Sequence, residues 1–413
     1  MNEPHNMKKY STFLGNIALV LLGLGIALGA MELLLRSNPN WIPSEVRVNP
    51  PLRRVRPFID ETYDIKLSDG DLFYWMHGAI APLPPEKDKV VAHVYMTTDA
   101  NGFRNAPPEK ATYEIVALGD SYTRASGVAI PWPQRLAERM GRDVLNLGEV
   151  GLGPQGELDV LQKYGLKKQP QLVIMAYFEG NDLYDAASYQ QANPFILTRF
   201  IKYMLMQGLE AWHDNSREGD QVAVASSYRY PIRVAINNTD LELTFFSPYI
   251  SWSSISAERI ELSQNYRLVQ RTILRARDLS AAEGSRFLLV FIPTKEHIYL
   301  PYLNDPKTLA TVFADVPALE LDEEGFIQLT DQKTAPEFAY QHMDDQSHLL
   351  AAFASEQDMN YLDLTPYFQK EAGTGAELYY PFDTHWNQLG HGLAAGSINK
   401  YIEEMPPDPS RRP

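Results

Sequence analysis

The segment YEIVALGDSYT, residues 113–123, joins an apolar β-type run to a glycine turn and a serine. In open α/β sheets ligands bind beyond the carboxyl ends of the strands, so the end of this run lies at the expected reactive edge. Gly119 permits a sharp bend, and a helix that starts after it directs free N–H groups towards developing negative charge. The segment predicts Ser121 as a candidate nucleophile, with a simple turn or helix cap as the alternative.

Four more apolar runs follow and alternate with helical patterns. These runs are Val144–Leu147, Leu172–Tyr177, Phe287–Ile292 and Met359–Leu364. Strands that alternate with helices favour a parallel sheet with helices on both faces. The sequence therefore predicts an α/β fold over residues 111–401, a three-layer α/β/α sandwich with a mostly parallel, flavodoxin-like central sheet.

An insertion at about residues 183–283 interrupts this alternation. Its segment Tyr228–Phe246 alternates in polarity and turns at Asn237–Asp240, which predicts a β-hairpin. Residues Ala257–Ala282 have helical apolar spacing and are expected to return the chain to the sheet as one amphipathic helix. We expect the insertion to form a cap-like segment over the site.

The N-terminal segment Phe13–Leu35 is almost uninterrupted apolar sequence. About 20 apolar residues are enough to cross a bilayer core as a helix. Lys8 and Lys9 precede the segment, which favours a single-pass anchor in the inner (cytoplasmic) membrane with the catalytic domain in the periplasm or outside the cell. A signal peptide cleaved near Gly29 and Ala30 is the alternative.

The remaining boundaries follow from composition. Residues 1–36 are predicted to be a cytoplasmic N-terminus with a transmembrane signal anchor. Residues 37–110, rich in proline and polar side chains, are predicted to be a tether and lead-in, and residues 402–413 a flexible tail.

The formal net charge of −15 argues against a nucleic-acid partner, because phosphate binding needs clustered lysine and arginine. The chain contains no cysteine, which excludes disulfides, cysteine nucleophiles and thiolate metal sites. No cofactor and no metal are expected.

Two other loops follow predicted strands. Gly151 lies in a glycine-rich exit from the second run, where a backbone N–H can approach a substrate closely, although a tight turn is the alternative. Asn181 follows Gly180 after the third run and has an amide that can donate into the same cleft, although an asparagine in a loop more often forms an Asx turn.

Near the C-terminus, Asp383 and His385 are separated by one residue, before a glycine-containing helical stretch. A serine hydroxyl is a weak nucleophile until a base that is itself oriented removes its proton. Asp383 can orient His385 for this task. The alternatives for His385 are a core histidine or a metal ligand, but the chain lacks a second ligand cluster of suitable spacing.

Other polar residues suggest lesser roles. Asp120 and Asp182 are candidates to brace the loops beside the site. Pro293–His297 follows the fourth run and is interpreted as solvated loop, with an acceptor pocket as the alternative. His391 is interpreted as structural.

Taken together, the four loops resemble the SGNH hydrolase superfamily, also called the GDSL esterases and lipases. The serine block is similar to Gly119-Asp120-Ser121, the glycine block to Gly151, the Gly-x-Asn-Asp block to Gly180 with Asn181 and Asp182, and the Asp-x-x-His block to the region of Asp383 and His385. The resemblance implies a catalytic Ser121, His385 and Asp383, and an oxyanion hole from the N–H groups of Ser121 and Gly151 with the Asn181 side chain.

Three departures accompany the resemblance. Tyr122 replaces leucine, Gly180 directly precedes Asn181, and one residue instead of two separates Asp383 from His385. The resulting Asp-Thr-His-Trp is similar to the alginate O-acetylation proteins, and the Gly-Phe-Arg at residues 102–104 to membrane-anchored members.

The resemblance implies an esterase that cleaves an O-acyl ester, expected to be acetyl, from an acylated carbohydrate or lipid of the cell envelope. An O-acyltransferase that modifies an exopolysaccharide or envelope glycan is the first alternative. A non-catalytic glycan-binding or scaffold protein is the second.

Overall fold

The structure is a computed structural model that describes residues 4–38, 62–68, 90–190, 196–198, 200–201, 204 and 232–405. The chain divides into two compact units. The first comprises Met1–Arg53 with Gln191–Asn215, and the second comprises Arg54–Gln190 with Ser216–Pro413.

The first unit contains helix α1, Pro4–Ser37. The Glu32 carboxylate accepts hydrogen bonds from the backbone N–H groups of Ile196, at 3.0 Å, and Leu197, at 2.7 Å. Within the described ranges, no helix combines the length and the apolar character that crossing a membrane requires. The anchor predicted over Phe13–Leu35 stays a prediction.

The second unit contains eleven strands among its described residues. They are β1 Thr62–Ser68, β2 Val90–Thr97, β3 Ile115–Leu118, β4 Val144–Asn146, β5 Leu172–Phe178, β6 Ile232–Ile236, β7 Thr239–Leu243, β8 Arg286–Ile292, β9 Pro317–Leu321, β10 Ile327–Lys333 and β11 Asn360–Asp363.

Its α-helices continue the numbering from α1. They are α2 Ser121–Arg124, α3 Trp132–Met140, α4 Pro154–Val160, α5 Asp182–Gln190, α6 Ser247–Ser253, α7 Ala257–Leu262, α8 Gln264–Ala282, α9 Lys295–Tyr299, α10 Pro306–Phe313, α11 Pro336–His342, α12 Asp345–Glu356, α13 Thr365–Ala372 and α14 Gln388–Glu404. A short π-helix, Leu161–Gly165, continues into a 3₁₀ helix, Leu166–Lys168, and a second 3₁₀ helix is Leu300–Tyr302.

Five parallel strands form the central sheet, in the order β11-β8-β5-β3-β4. All five apolar runs of the sequence analysis form these strands, so the predicted mixed α/β fold with a parallel sheet is confirmed. Every residue of β3 and β5 is buried, which explains why their sequences are continuously apolar instead of alternating. In chain order the strands run 2-1-3-4-5, and the order reverses between β3 and β5, where such sheets bind ligands.

The predicted hairpin of the insertion is confirmed as β6 and β7. Asn237 and Asn238 form its turn with φ angles of 44° and 64°, the left-handed conformation that a two-residue turn of this kind requires. The single helix predicted over Ala257–Ala282 is wrong. Ser263 adopts an extended conformation and its hydroxyl accepts a hydrogen bond from Tyr266 N–H, so it ends α7 and caps α8.

Two antiparallel pairs were not predicted. Strands β1 and β2 pair within the segment that was predicted to be a tether, and β9 pairs with β10 between α10 and α11. Residues 39–61 and 69–89 of that tether, and 406–413 of the predicted tail, lie outside the described residues.

Candidate active site

Ser121 is the first residue of α2, directly beyond the carboxyl end of β3. The carboxylate of Asp120 accepts a hydrogen bond from Tyr122 N–H at 2.9 Å and caps this short helix. Gly119 has a φ of +154°, and a Cβ at this position would lie 2.1 Å from the Thr123 hydroxyl oxygen. Only glycine permits this turn, which leaves the first N–H of the helix without an intrahelical acceptor.

The structure brings Ser121, His385 and Asp383 into one hydrogen-bonded array. The Ser121 Oγ lies 2.8 Å from His385 Nε2, and His385 Nδ1 lies 2.6 Å from Asp383 Oδ1. The same carboxylate oxygen accepts the backbone N–H of His385 at 2.6 Å. The Asp383 side chain is 7% exposed and the His385 side chain is 36% exposed, so the array opens to solvent at the imidazole.

The loop that carries the two residues is closed at its base. Tyr379 and Trp386 form an antiparallel bridge, and Tyr380 N–H donates to the His385 carbonyl at 2.9 Å. The Tyr122 hydroxyl donates to the Thr384 carbonyl at 2.6 Å, which ties the serine helix to this loop. Tyr122 is buried, and its ring lies 5.0 Å from the imidazole of His385.

The charges of the array support one another. Burial disfavours the imidazolium of His385, but the charge and hydrogen bonds of Asp383 outweigh burial and raise the pKa of His385 above its ordinary value. Burial likewise disfavours the Asp383 carboxylate, yet His385 holds the pKa of Asp383 below its ordinary value. The Asp383 carboxylate is therefore ionised at neutral pH and suited to stabilise an imidazolium.

The two further predicted oxyanion-hole residues lie beyond the carboxyl ends of β4 and β5, the strands on either side of β3. Gly151 follows β4, is exposed and has a φ of +74°, with open space where a Cβ would stand. The buried ion pair between Arg124 and Glu149, at 2.7 Å, joins the end of α2 to the start of this glycine loop. Asn181 follows β5, and its side-chain oxygen is buried without a hydrogen-bond partner. Their role as donors stays a prediction.

The bracing roles predicted for Asp120 and Asp182 are confirmed. Asp182 accepts the backbone N–H of Phe178 at 2.8 Å, at the end of β5. Burial raises the pKa of Asp120 to about 6, against the opposing Tyr122 hydrogen bond and the charge of His385. Burial also raises the pKa values of Asp182 and Glu157 well above their ordinary values.

Two supporting groups were missed by sequence reasoning. Arg104, quoted only as part of a motif, is buried and donates to the carbonyls of Arg124, Ala125, Val128 and Ala129 behind the serine helix. Residues Thr294–His297 are each at most 1% exposed, so the interpretation of this segment as solvated loop is wrong. Charged residues after a strand carry no local signal that distinguishes a buried network from an exposed loop.

His391 is structural, as predicted. It is 1% exposed and its ring makes an edge contact with Trp386 at 5.4 Å. Burial lowers the pKa of His391 well below its ordinary value. Across the described part of the chain, no group of three or more histidine, aspartate or glutamate side chains is arranged to hold a metal ion.

No protein-family profile and no curated protein sequence matches the chain. Among solved structures, the chain is similar to a lipolytic protein of the G-D-S-L family from Desulfitobacterium hafniense, with 11% identity over 70% of this chain and 98% of that one, at a TM-score of 0.33. It is also similar to a GDSL-like lipase from Bacteroides thetaiotaomicron (12% identity, 73% and 92% covered, TM-score 0.31).

A third similar structure is LAE5, an α/β hydrolase from the metagenome of Lake Arreo, Spain, with 12% identity over 71% of this chain and 97% of that one, at a TM-score of 0.36. At such low identities and TM-scores the similarity does not establish a shared family.

Proposed function

We propose that the chain is a serine esterase of the SGNH type, in which Ser121 is the nucleophile, His385 the base and Asp383 the residue that orients the base. One observation carries this proposal: the continuous hydrogen-bonded array from Ser121 Oγ through the His385 imidazole to the Asp383 carboxylate. It lies at the carboxyl edge of a parallel sheet, next to the point where the strand order reverses. The proposal includes the three-layer α/β/α arrangement, with helices on both faces of the central sheet.

In the first half-reaction, His385 Nε2 accepts the Ser121 proton as Oγ attacks the ester carbonyl, and the imidazolium then protonates the leaving alcohol. Asp383 keeps the remaining imidazole proton on Nδ1, at 2.6 Å. In the second half-reaction, His385 removes a proton from water, which attacks the acyl-enzyme. The imidazolium then returns this proton to Ser121 Oγ as the bond from Oγ to the acyl carbon breaks and the carboxylic acid leaves.

Negative charge develops on the carbonyl oxygen during both attacks. The N–H groups of Ser121 and Gly151 and the Asn181 amide are the proposed donors. The position of Ser121 as the first residue of α2 supports the first of these, because that N–H has no acceptor in its own helix. One such donor typically contributes about 3 to 4 kcal/mol to transition-state stabilisation.

A fluorophosphonate probe tests the activated serine directly. The folded full-length chain is expected to be labelled at neutral pH, with the modification located on Ser121 by peptide mass spectrometry. Labelling that is absent from folded protein, or found on another serine, contradicts the proposal and favours a glycan-binding or scaffold protein.

The proposed substrate is an O-acyl, and specifically O-acetyl, ester on a cell-envelope glycan or lipid. Incubation with an acetylated envelope glycan distinguishes hydrolysis from transfer. Loss of acetyl mass from the glycan with release of acetate supports the esterase. Gain of acetyl mass by an unmodified acceptor supports an O-acyltransferase that uses the same array.

The location is proposed from the N-terminal sequence alone. We propose that residues 1–36 hold a catalytic unit that lies in the periplasm or outside the cell. A reporter domain that is active only outside the cytoplasm should then be active when it is fused to the C-terminus. Reporter activity confined to the cytoplasm contradicts it.

A further inference from the structure

Lys295 lies beside the candidate active site and has no contact with solvent. Its relative exposure is 0%, and it is the first residue of α9, which follows strand β8 of the central sheet. Burial of an ammonium group costs several kcal/mol unless its N–H groups are all satisfied. A fully buried lysine therefore needs acceptors that compensate for the lost hydration.

The acceptors of Lys295 all belong to one loop. Its Nζ donates to the backbone carbonyls of Tyr380, at 3.3 Å, Pro381, at 3.1 Å, and Asp383, at 2.9 Å. Three acceptors match the three N–H groups of an ammonium, whereas a neutral amine has only two. The Tyr380 carbonyl also accepts from Asp383 N–H within the loop, at 3.4 Å, and the Pro381 carbonyl from Thr244 N–H, at 2.8 Å.

The same contacts leave the Asp383 carboxylate available to His385. Lys295 binds the main-chain oxygen of Asp383, while Asp383 Oδ1 accepts from the His385 ring and from its backbone N–H. The lysine thus fixes the backbone on which the carboxylate stands and does not occupy the carboxylate. Thr294 caps α9 and donates to buried Glu179 at the end of β5, which anchors the lysine to the sheet.

We propose that Lys295 is the positioning residue of the loop Tyr380–Asp383: its ammonium fixes three carbonyls and so holds the Asp383 carboxylate against the His385 imidazole. This inference rests on the proposed catalytic role of Ser121, Asp383 and His385. Lys295 itself touches neither the substrate nor the reacting atoms.

The test compares the full-length wild type with Lys295→Met, which keeps the length of the side chain and removes its charge and donors. The imidazole of His385 is titrated by NMR, with its signals assigned from His385→Gln, and the rate of labelling by the fluorophosphonate is measured. Lys168→Met is the matched control. Lys168 is 12% exposed, contacts Glu109 and lies at the opposite edge of the sheet, where its carbonyl accepts from Tyr113.

Loss of the positioning contact is expected to separate His385 from Asp383, the group that raises the pKa of His385. The titration midpoint of His385 should therefore be lower in Lys295→Met than in wild type. Labelling should slow by at least tenfold at a pH where His385 is neutral in both proteins. A midpoint that is unchanged or higher, with labelling within twofold of wild type, overturns the proposal, because loss of a nearby positive charge alone raises that midpoint. Lys168→Met should match wild type in both measurements.

Two further measurements apply if Lys295→Met does not fold. Lys295→Arg keeps the charge but spreads its donors over a planar fork, so it should fold and label more slowly than wild type. In wild type, burial lowers the pKa of Lys295 to about 8, against the opposing charges of Glu296, Asp383 and Glu377. Labelling should therefore decline as the pH rises through about 8, and labelling of Lys295→Arg at the wild-type rate contradicts the proposal.

The outcomes separate this inference from the proposed function. An unlabelled wild type contradicts the function, while the His385 titration still tests Lys295. A labelled wild type with Lys295→Met indistinguishable from it contradicts the positioning role alone.

Discussion

Two of the histidine–carboxylate pairs, His385 with Asp383 and His297 with Glu179, differ in the partner of the second ring nitrogen. His385 contacts Asp383 through Nδ1 and the Ser121 hydroxyl through Nε2, and its side chain is 36% exposed. His297 contacts Glu179 through Nδ1, at 2.8 Å, and its Nε2 lies 3.1 Å from Asp344, while its side chain is 1% exposed.

This difference determines what each imidazole can do. Burial alone lowers the pKa of His297, but Glu179 and Asp344 outweigh burial and raise this pKa to about 10, so the ring is a permanent cation at neutral pH. A ring that is always protonated cannot remove a proton from a nucleophile. His385 has a hydroxyl in place of the second carboxylate. A carboxylate beside a histidine is therefore not by itself a sign of catalysis.

The largest expected effect is at the nucleophile. Ser121→Ala should reduce turnover of p-nitrophenyl acetate by more than about 10⁴-fold and leave the melting temperature unchanged, because the other groups of the array remain. Ser126→Ala, an exposed serine just beyond α2, is the matched control and should retain wild-type activity. Residual turnover close to wild type in Ser121→Ala would remove the distinction between the two histidines.

Asp383→Asn tests whether the first pair works as a base and its orienting partner. Turnover should fall by about 10⁴-fold, because the amide favours the wrong imidazole tautomer. Turnover requires neutral His385, so the raised pKa of His385 places the acid limb of kcat/KM above 6.5 in wild type. The limb should move to lower pH in Asp383→Asn. A pH profile that does not move contradicts the pairing.

His297→Phe tests the structural pair. It leaves Glu179 buried without its cation and should reduce the free energy of unfolding by about 3 to 5 kcal/mol. Because the pKa of His297 is raised in the folded state, protonation of His297 stabilises the native state fully below pH 6.5. This contribution is lost as the pH rises through about 10. The difference between wild type and His297→Phe in urea unfolding should therefore shrink over this range.

Asp344→Asn is the control for that variant, since the Asp344 side chain is 59% exposed and its contact is screened by solvent. Its free energy of unfolding should change far less than that of His297→Phe. Equal losses in both variants would contradict the buried pair as the stabilising element.

The smallest expected effect is at Asn181. Asn181→Ala should lower kcat by about 10²-fold to 10³-fold with little change in KM, because an oxyanion donor acts mainly in the transition state. Steady-state kinetics on p-nitrophenyl acetate give both constants. A change confined to KM would show that Asn181 binds substrate and does not stabilise the oxyanion.

The residues of the proposed catalytic array could be predicted because each proposed task restricts the residue type and its place in the fold. Gly119 is required where a Cβ would strike Thr123, and Ser121 follows a buried strand, so the pattern of the sequence carries both. Asp383 and His385 lie far from Ser121 in the sequence, but only one residue separates them from each other. Only their meeting with Ser121 needs the fold.

The supporting residues were not predictable for a corresponding reason. Lys295, His297 and Arg104 act through carbonyls or carboxylates that belong to distant segments, and nothing in their own neighbourhoods indicates burial. The break at Ser263 was missed because a serine within a helical pattern fits either an exposed position or a cap.

The sequence alone determined the five strands of the sheet, the β6–β7 hairpin and the identity of Ser121, Asp383 and His385 as candidates, because apolar periodicity, turn residues and short-range spacing are local properties. The tertiary structure decided which of two histidines stands beside a hydroxyl and that a lysine lies under the loop. Burial and long-range hydrogen bonds depend on every segment that packs around a residue, and no local pattern records them.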